Sequence, residues 1–270
     1  RGLLAFQPEH RRFFFGRDRE AQEIAADLQA LIDRSATRFL IVTGASGIGK
    51  SSLVLAGVVP MLRAADPQLV FLRMRPGSDP VSALRQTLSV VTEPAKVLLL
   101  VDQFEEIFTH TTSAAVREAF LRELWTLASA PEPGVRVIVT LRVDYIGRCG
   151  ELLTSDQGLR FDRVVYDEAH RCFVSQMEPE ALQAAILEPA RAAGLELEAG
   201  LSDRLLLDVG KEPGALPLLQ DALDGLWQRR DGRRLTQAAY AALGGVVGAL
   251  QGRADALVEG LTARGDAPVA

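Results

Sequence analysis

Apolar residues in the first two thirds of the chain alternate between two textures. Short continuous runs come first: Phe39–Val42, Leu69–Met74, Val97–Val101 and Val135–Thr140, with a weaker one at Cys172–Gln176. Unbroken β-branched or leucine-rich runs of this length predict strands buried on both faces. Between them the period lengthens. Asp18–Leu31 reads as a helix, a second starts near Lys50 with Leu53, Val54, Val58 and Leu62 on one side, and Pro60 is expected to kink or restart it. Asp79-Pro80 opens a helix through Leu84 and Leu88, and Ser113–Ala128 carries Val116, Phe120, Leu124 and Leu127 at helical spacing. Strands that alternate with helices predict a parallel sheet with helices on both faces, an α/β domain.

The pattern changes near Glu178. From there only helices are expected: Pro179–Ala193, Leu201–Val209 and Pro217–Arg230, the last with a stripe of Leu218, Leu219, Ala222, Leu223 and Leu226. A turn at Arg230-Asp231-Gly232 follows. Thr236 is the expected N-cap of a short helix to Leu243, Gly244-Gly245 breaks it, and a final helix carries Leu250, Leu257 and Leu261. The organisation is an α/β domain over 1–177, a helical domain over 178–230 and the opening of a third unit over 231–270.

The most specific chemistry sits where the first strand meets the second helix. Gly44-Ala45-Ser46-Gly47-Ile48-Gly49-Lys50-Ser51 fits G-x-x-x-x-G-K-[ST] between a predicted strand and a predicted helix, with Ser52 continuing the helix start. Glycines let backbone N–H groups turn inward around phosphates, and the helix points its positive end at them. Lys50 would add a full charge at the β- and γ-phosphates, and Ser51 a hydroxyl for Mg²⁺. Only three lysines occur among 30 basic residues, so a lysine at this spacing is informative. The same stretch partly matches the T-G-x-x-x-G-x-G of short-chain dehydrogenases. Its first two glycines are one residue too close, and Cys149, His170 and Gly244 stand where a Tyr-x-x-x-Lys lysine would follow Tyr145, Tyr166 and Tyr240. Hydride transfer is therefore excluded.

Val97–Val101 ends in Asp102, the place for a Mg²⁺ carboxylate opposite Ser51. The following residue is Gln103, so a water-activating base must be Glu105 or Glu106; Glu105 is preferred. Arg142, just past the fourth strand, is placed to contact a γ-phosphate and report ATP against ADP. Each has a plainer alternative: a strand-ending turn for Asp102, a helix-start carboxylate for Glu105, a solvated arginine for Arg142.

These residues together resemble one family, the STAND NTPases, in its bacterial novel STAND subclass. The resemblance rests on Phe6-Gln-Pro-Glu with Phe14-Phe15-Gly16-Arg17-Asp18-Arg19-Glu20, on the P-loop with Ser51-Ser52-Leu53, on Val101–Glu106, on Leu141-Arg142-Val143-Asp144, and on Gly210-Lys-Glu-Pro-Gly214-Ala-Leu-Pro217. It implies a P-loop NTPase sheet, a helical lid and the start of a winged helix that is truncated here. It implies that Phe15, Gly16 and Arg17 lie by the nucleotide base, and that Pro217 packs near adenine. It also implies an ATP/ADP and Mg²⁺ cycle between a closed ADP form and an open, self-associating ATP form, with sensor and effector domains elsewhere. A turn before a helix explains Gly16-Arg17 equally simply, and a helix-starting proline explains Pro217.

Composition narrows the rest. At 48% hydrophobic and 24% charged residues, disordered and low-complexity classes are excluded. A net charge of −5 gives no global pull toward nucleic acid or anionic lipid, although Arg229, Arg230, Arg233 and Arg234 flank one turn. Two cysteines without a CxxC fit a reduced, cytoplasmic setting, and no apolar run approaches the roughly 18 residues of a membrane span. The N-terminus carries no signal-peptide pattern and no initiator methionine, as expected of a piece of a longer protein. Two alternatives stay open: a module that binds nucleotide without hydrolysing it, favoured by Gln103, and a DNA-associated winged-helix ATPase. His10, His110 and His170 have no spacing suited to a metal or a triad.

Overall fold

The apolar runs pair as parallel strands, the central ones buried and the two edge strands only partly so, in a computed structural model, which describes residues 4–92, 95–131, 133–154, 158–210, 216–249 and 251. Strands β1 (Phe39–Gly44), β2 (Val70–Met74), β3 (Val97–Val101), β4 (Val135–Arg142) and β5 (Arg171–Phe173) form a five-stranded sheet in the order β2-β3-β4-β1-β5. Every neighbouring pair is parallel. Burial explains the composition: all of β3 and all of β1 are buried, so no polar alternation is required. The order matters for chemistry. Strand β4 lies between β1 and β3, so the loop after β1 and the acidic end of β3 flank the end of β4.

Alternate residues serve opposite faces. Phe39, Ile41, Leu99, Val101, Val137 and Val139 join one core. The helices beside the sheet, in chain order, are α1 (Asp18–Asp33), α2 (50–65), α3 (Pro80–Leu88), α4 (Glu106–Thr109), α5 (Ala114–Ser129) and α6 (Phe161–Tyr166). Of these, α3 to α6 contribute to that core, with Phe104, Phe120 and Phe161 fully buried in it. Phe104 lies 6.1 Å from Phe120 and 5.6 Å from Phe161, ring centre to centre, within the range where aromatic pairs add to plain burial. Leu40, Val42, Leu98, Leu100 and Ile138 point the other way by strand alternation and are equally buried. Helices α1 and α2 approach β1 on its flanks.

Side-chain caps start some of the helices. Asp79 accepts from the Ser82 N–H and Ser113 from the Val116 N–H, as N-caps should. At Pro60 a regular α-helical segment restarts after a change of helix type. Lys50–Ser52 runs through a π-type stretch, Leu53–Val58, into Val59–Ala65 without a break. Proline has no N–H and its ring collides with the carbonyl four residues back, so the turn before it widens instead of ending. β1 and β4 each run two residues further than their apolar cores, and β5 begins one residue earlier and is shorter than expected.

The described residues divide into two units. One comprises Phe6–Arg11 and Arg17–Gln176 and holds the sheet. The other contains Arg12–Gly16 and the residues from Met177 onward. Its helices are α7 (Pro179–Ala192), α8 (Leu201–Val209), α9 (Leu216–Gln228) and α10 (Gln237–Ala242). Leu182, Ile186, Leu205, Leu219, Leu226, Tyr240 and Val246 share one core, so residues on both sides of position 230 pack together. Thr236 caps α10 by accepting from the Ala239 N–H at 3.2 Å. The all-helical expectation is corrected by a two-residue parallel pair, β6 (Glu196–Leu197) with β7 (Arg234–Leu235), too short for any periodicity to announce. The expected final helix is seen over 245–249 and at position 251; Leu250, Leu257 and Leu261, which it is expected to carry, lie outside the described residues.

Candidate functional site

The loop after β1 has the backbone that its glycines allow. Gly47 and Gly49 have φ of 71° and 96°, the left-handed region that side chains with a Cβ avoid. Gly49 is the N-cap of α2, so the first N–H groups of that helix face the loop. Lys50 is buried, and its Nζ donates to the carbonyls of Gly44 at 3.0 Å and Ala45 at 2.8 Å. Burial holds its pKa below the ordinary lysine value, with Glu105 pulling it back up and Arg142 pushing it further down. Ile48 is buried beside the loop, while Ala45 and Ser46 sit on its outer turn.

Ser51 and Asp102 meet as the spacing predicted. Ser51 Oγ donates to Asp102 Oδ1 at 2.6 Å. Asp102 is fully buried, and Thr140 Oγ1 donates to the same oxygen at 2.8 Å. Its other oxygen, Oδ2, accepts from Arg73 Nη2 at 2.7 Å. Burial alone would push this carboxyl up; the bonds from Ser51, Arg73 and Thr140 overcome it and hold the pKa below the usual aspartate value. Two hard oxygens at a helix start suit Mg²⁺ completed by phosphate and water. Among the described residues no group of three His, Cys, Asp or Glu side chains could hold a metal by itself. The donor set therefore fits a metal that arrives with a phosphate ligand.

The two glutamates after Asp102 separate. Gln103 has φ of 59°, a left-handed turn in a residue that is not glycine, and its N–H donates to Thr140 Oγ1 at 2.8 Å. Glu105 is the N-cap of α4 and Glu106 its first residue, so helical rotation of about 100° per residue separates their side chains. Glu105 Oε2 accepts from the Arg142 backbone N–H at 3.3 Å, and its carboxylate interacts with Lys50. Burial raises its pKa above the ordinary glutamate value, against the pull of those N–H groups and Lys50. Glu106 Oε2 instead accepts from the Gly77 N–H at 3.1 Å, tying down the loop after β2. Arg142 ends β4, and its guanidinium holds Asp144 with Nη2 to Oδ2 at 2.6 Å and Nε to Oδ1 at 3.1 Å.

Arg17 is buried and committed to backbone. It donates to the carbonyls of Ile48 at 3.4 Å and Ser175 at 2.8 Å, and pairs with Glu20 at 2.5 Å. It braces the phosphate loop from behind. Ser52 Oγ accepts from the Phe6 N–H at 3.1 Å. Phe15, Gly16 and Pro217 belong to the other unit, where Gly16, at φ of 82°, packs against the Ala181 carbonyl and Pro217 is the second residue of α9. Sequence reasoning missed Arg73 and the use of Thr140. The only available signal was a polar residue inside an apolar strand.

Comparison with solved structures shows the same fold at low identity. Aeropyrum pernix ORC2 in ADPNP-ADP complexes gives a TM-score of 0.53 at 15% identity, over 87% of this chain and 68% of that one. Domain III of the Thermotoga maritima replication initiation protein DnaA gives 0.54 at 13% identity, over 84% and 90%. The Thermotoga maritima RuvB Holliday junction branch migration motor gives 0.51 at 13% identity, over 92% and 72%. No curated protein matches the sequence significantly. The family model of novel STAND NTPase 1 matches residues 1–269. A P-loop, a paired serine and aspartate and a sheet with β4 between β1 and β3 agree with that match, and the chain belongs to the novel STAND NTPase 1 family.

Proposed function

We propose that this chain is the ATP-binding and slowly hydrolysing core of a signalling switch. The observation that carries the reading is the Ser51–Asp102 pair at 2.6 Å beside the buried Lys50, two groups from one helix start and one from a strand end. Bound Mg²⁺, held through Ser51 and Asp102, would neutralise charge on the β- and γ-phosphates. The backbone N–H groups of 44–51 and the Lys50 ammonium hold the phosphates. Glu105 takes the proton of the attacking water, because its carboxylate lies by the Arg142 N–H at the end of β4 and feels the Lys50 charge, while Glu106 is spent on Gly77. A raised pKa suits a base, since it brings proton affinity closer to neutral pH. Arg142 turns from Asp144 to the γ-phosphate, so ATP and ADP leave it in different positions.

The cycle follows from that difference. ADP leaves Arg142 with Asp144 and the module closed; ATP favours an open form that self-associates, and hydrolysis resets it. Sensor and effector domains would supply signal and output. Sedimentation with ADP and with a non-hydrolysable ATP analogue tests the reading. A larger species with the analogue alone is expected. Identical sedimentation with both, at saturating nucleotide, would remove the switch.

A further inference from the structure

The carboxylate at the metal position already has a cation beside it. Arg73 Nη2 lies 2.7 Å from Asp102 Oδ2, while Oδ1 accepts hydrogen bonds from the Ser51 and Thr140 hydroxyls, so both oxygens are engaged. A buried carboxylate needs a counter-charge, and a divalent ion is the usual source next to a P-loop. Here a guanidinium supplies it from β2, where Arg73 sits opposite Leu100 of β3. The guanidinium is held from a second side, because Nη1 donates to Gln7 Oε1 at 3.3 Å. The same N-terminal segment reaches the P-loop helix through the Phe6 N–H on Ser52 Oγ. Arg73 is thus fixed rather than swinging in solvent.

We propose that Arg73 is a built-in counter-ion of Asp102 that competes with Mg²⁺, so that this chain binds nucleoside diphosphate with little dependence on divalent metal. The inference rests on reading the pocket as a Mg²⁺-nucleotide site and adds a positioning residue to it. Two effects act in the same direction. A fixed positive charge beside Asp102 lowers its affinity for another cation. With the metal absent, the same charge offsets the repulsion between Asp102 and the phosphates.

The test is the ratio of the ADP dissociation constant in EDTA to that in saturating Mg²⁺, measured by calorimetry. Wild type is expected to give a small ratio. Arg73→Gln, which keeps a donor but loses the charge, is expected to raise the ratio about tenfold or more. Arg73→Lys keeps the charge and is expected to stay near wild type. Gln7→Ala, which frees the second anchor, is expected to raise the ratio by about threefold. Thermal melts establish that each variant is folded; if Arg73→Gln is not, Gln7→Ala and Arg73→Lys decide. An unchanged ratio in folded Arg73→Gln, or in Gln7→Ala where that variant decides, overturns the inference while leaving the nucleotide site intact. Failure of wild type to bind ADP under either condition overturns the site reading and the inference with it.

Discussion

Glu105→Gln against Glu106→Gln is the sharpest perturbation of the chemistry, because the two neighbours are alike in sequence and divided in space. Glu105 lies half-buried, interacts with Lys50 and accepts a 3.3 Å bond from the Arg142 N–H. The glutamine amide oxygen can still accept that bond, so the fold should hold. What is lost is the proton-accepting group, worth about 10²–10⁴-fold in rate, or roughly 3–5 kcal/mol of barrier. ATP affinity should hold or rise, since removing a negative charge near the phosphates lessens repulsion. Glu106→Gln loses charge from a bond to the Gly77 N–H and should change the rate by less than about threefold. The assay is phosphate release in a single turnover at saturating ATP, with affinity measured separately. A pH series adds a sign. The base works deprotonated, and burial raises its pKa above the ordinary glutamate value. Rate should therefore fall as pH drops through a midpoint higher than that of a free glutamate. Loss of turnover in Glu106→Gln with Glu105→Gln near wild type would refute the reasoning.

Two further variants separate roles that the site leaves close together. Arg142→Ala should narrow the difference between ATP and ADP affinity measured by calorimetry, since the guanidinium is the group proposed to leave Asp144 for the γ-phosphate; an unaltered ratio counts against it. Arg17→Ala should lower stability by about 2–4 kcal/mol, read by thermal or urea unfolding, because it strands the Ile48 and Ser175 carbonyls and Glu20. A large loss of ADP affinity with an unchanged melt would instead place Arg17 on the nucleotide.

Much of this architecture was legible because it is written locally. β3 is buried on both faces, so its five residues needed no polar member and read as one apolar block. The loop after β1 needed glycine at 47 and 49 for its positive φ, and a lysine one residue later. Those constraints are short in sequence, and so they show. The rest is set by distant partners. Arg17 reaches Ser175 across 158 positions, and nothing near Arg17 forecasts that contact. Arg73 meets Asp102 because β2 and β3 are neighbours in register, which is a property of the sheet. The choice between Glu105 and Glu106 depends on partners from other strands' ends, the Arg142 N–H for one and the Gly77 N–H for the other.

Calorimetry of ATP binding to wild type and Lys50→Ala tests the central claim most directly. Lys50 is buried with its ammonium on the Gly44 and Ala45 carbonyls, so its only full charge is already inside the loop. The account predicts saturable, one-site binding by wild type and a loss of at least about a hundredfold in the variant, with the melt of the unliganded protein little changed. Equal affinity in the two proteins, or no binding by wild type, would contradict it.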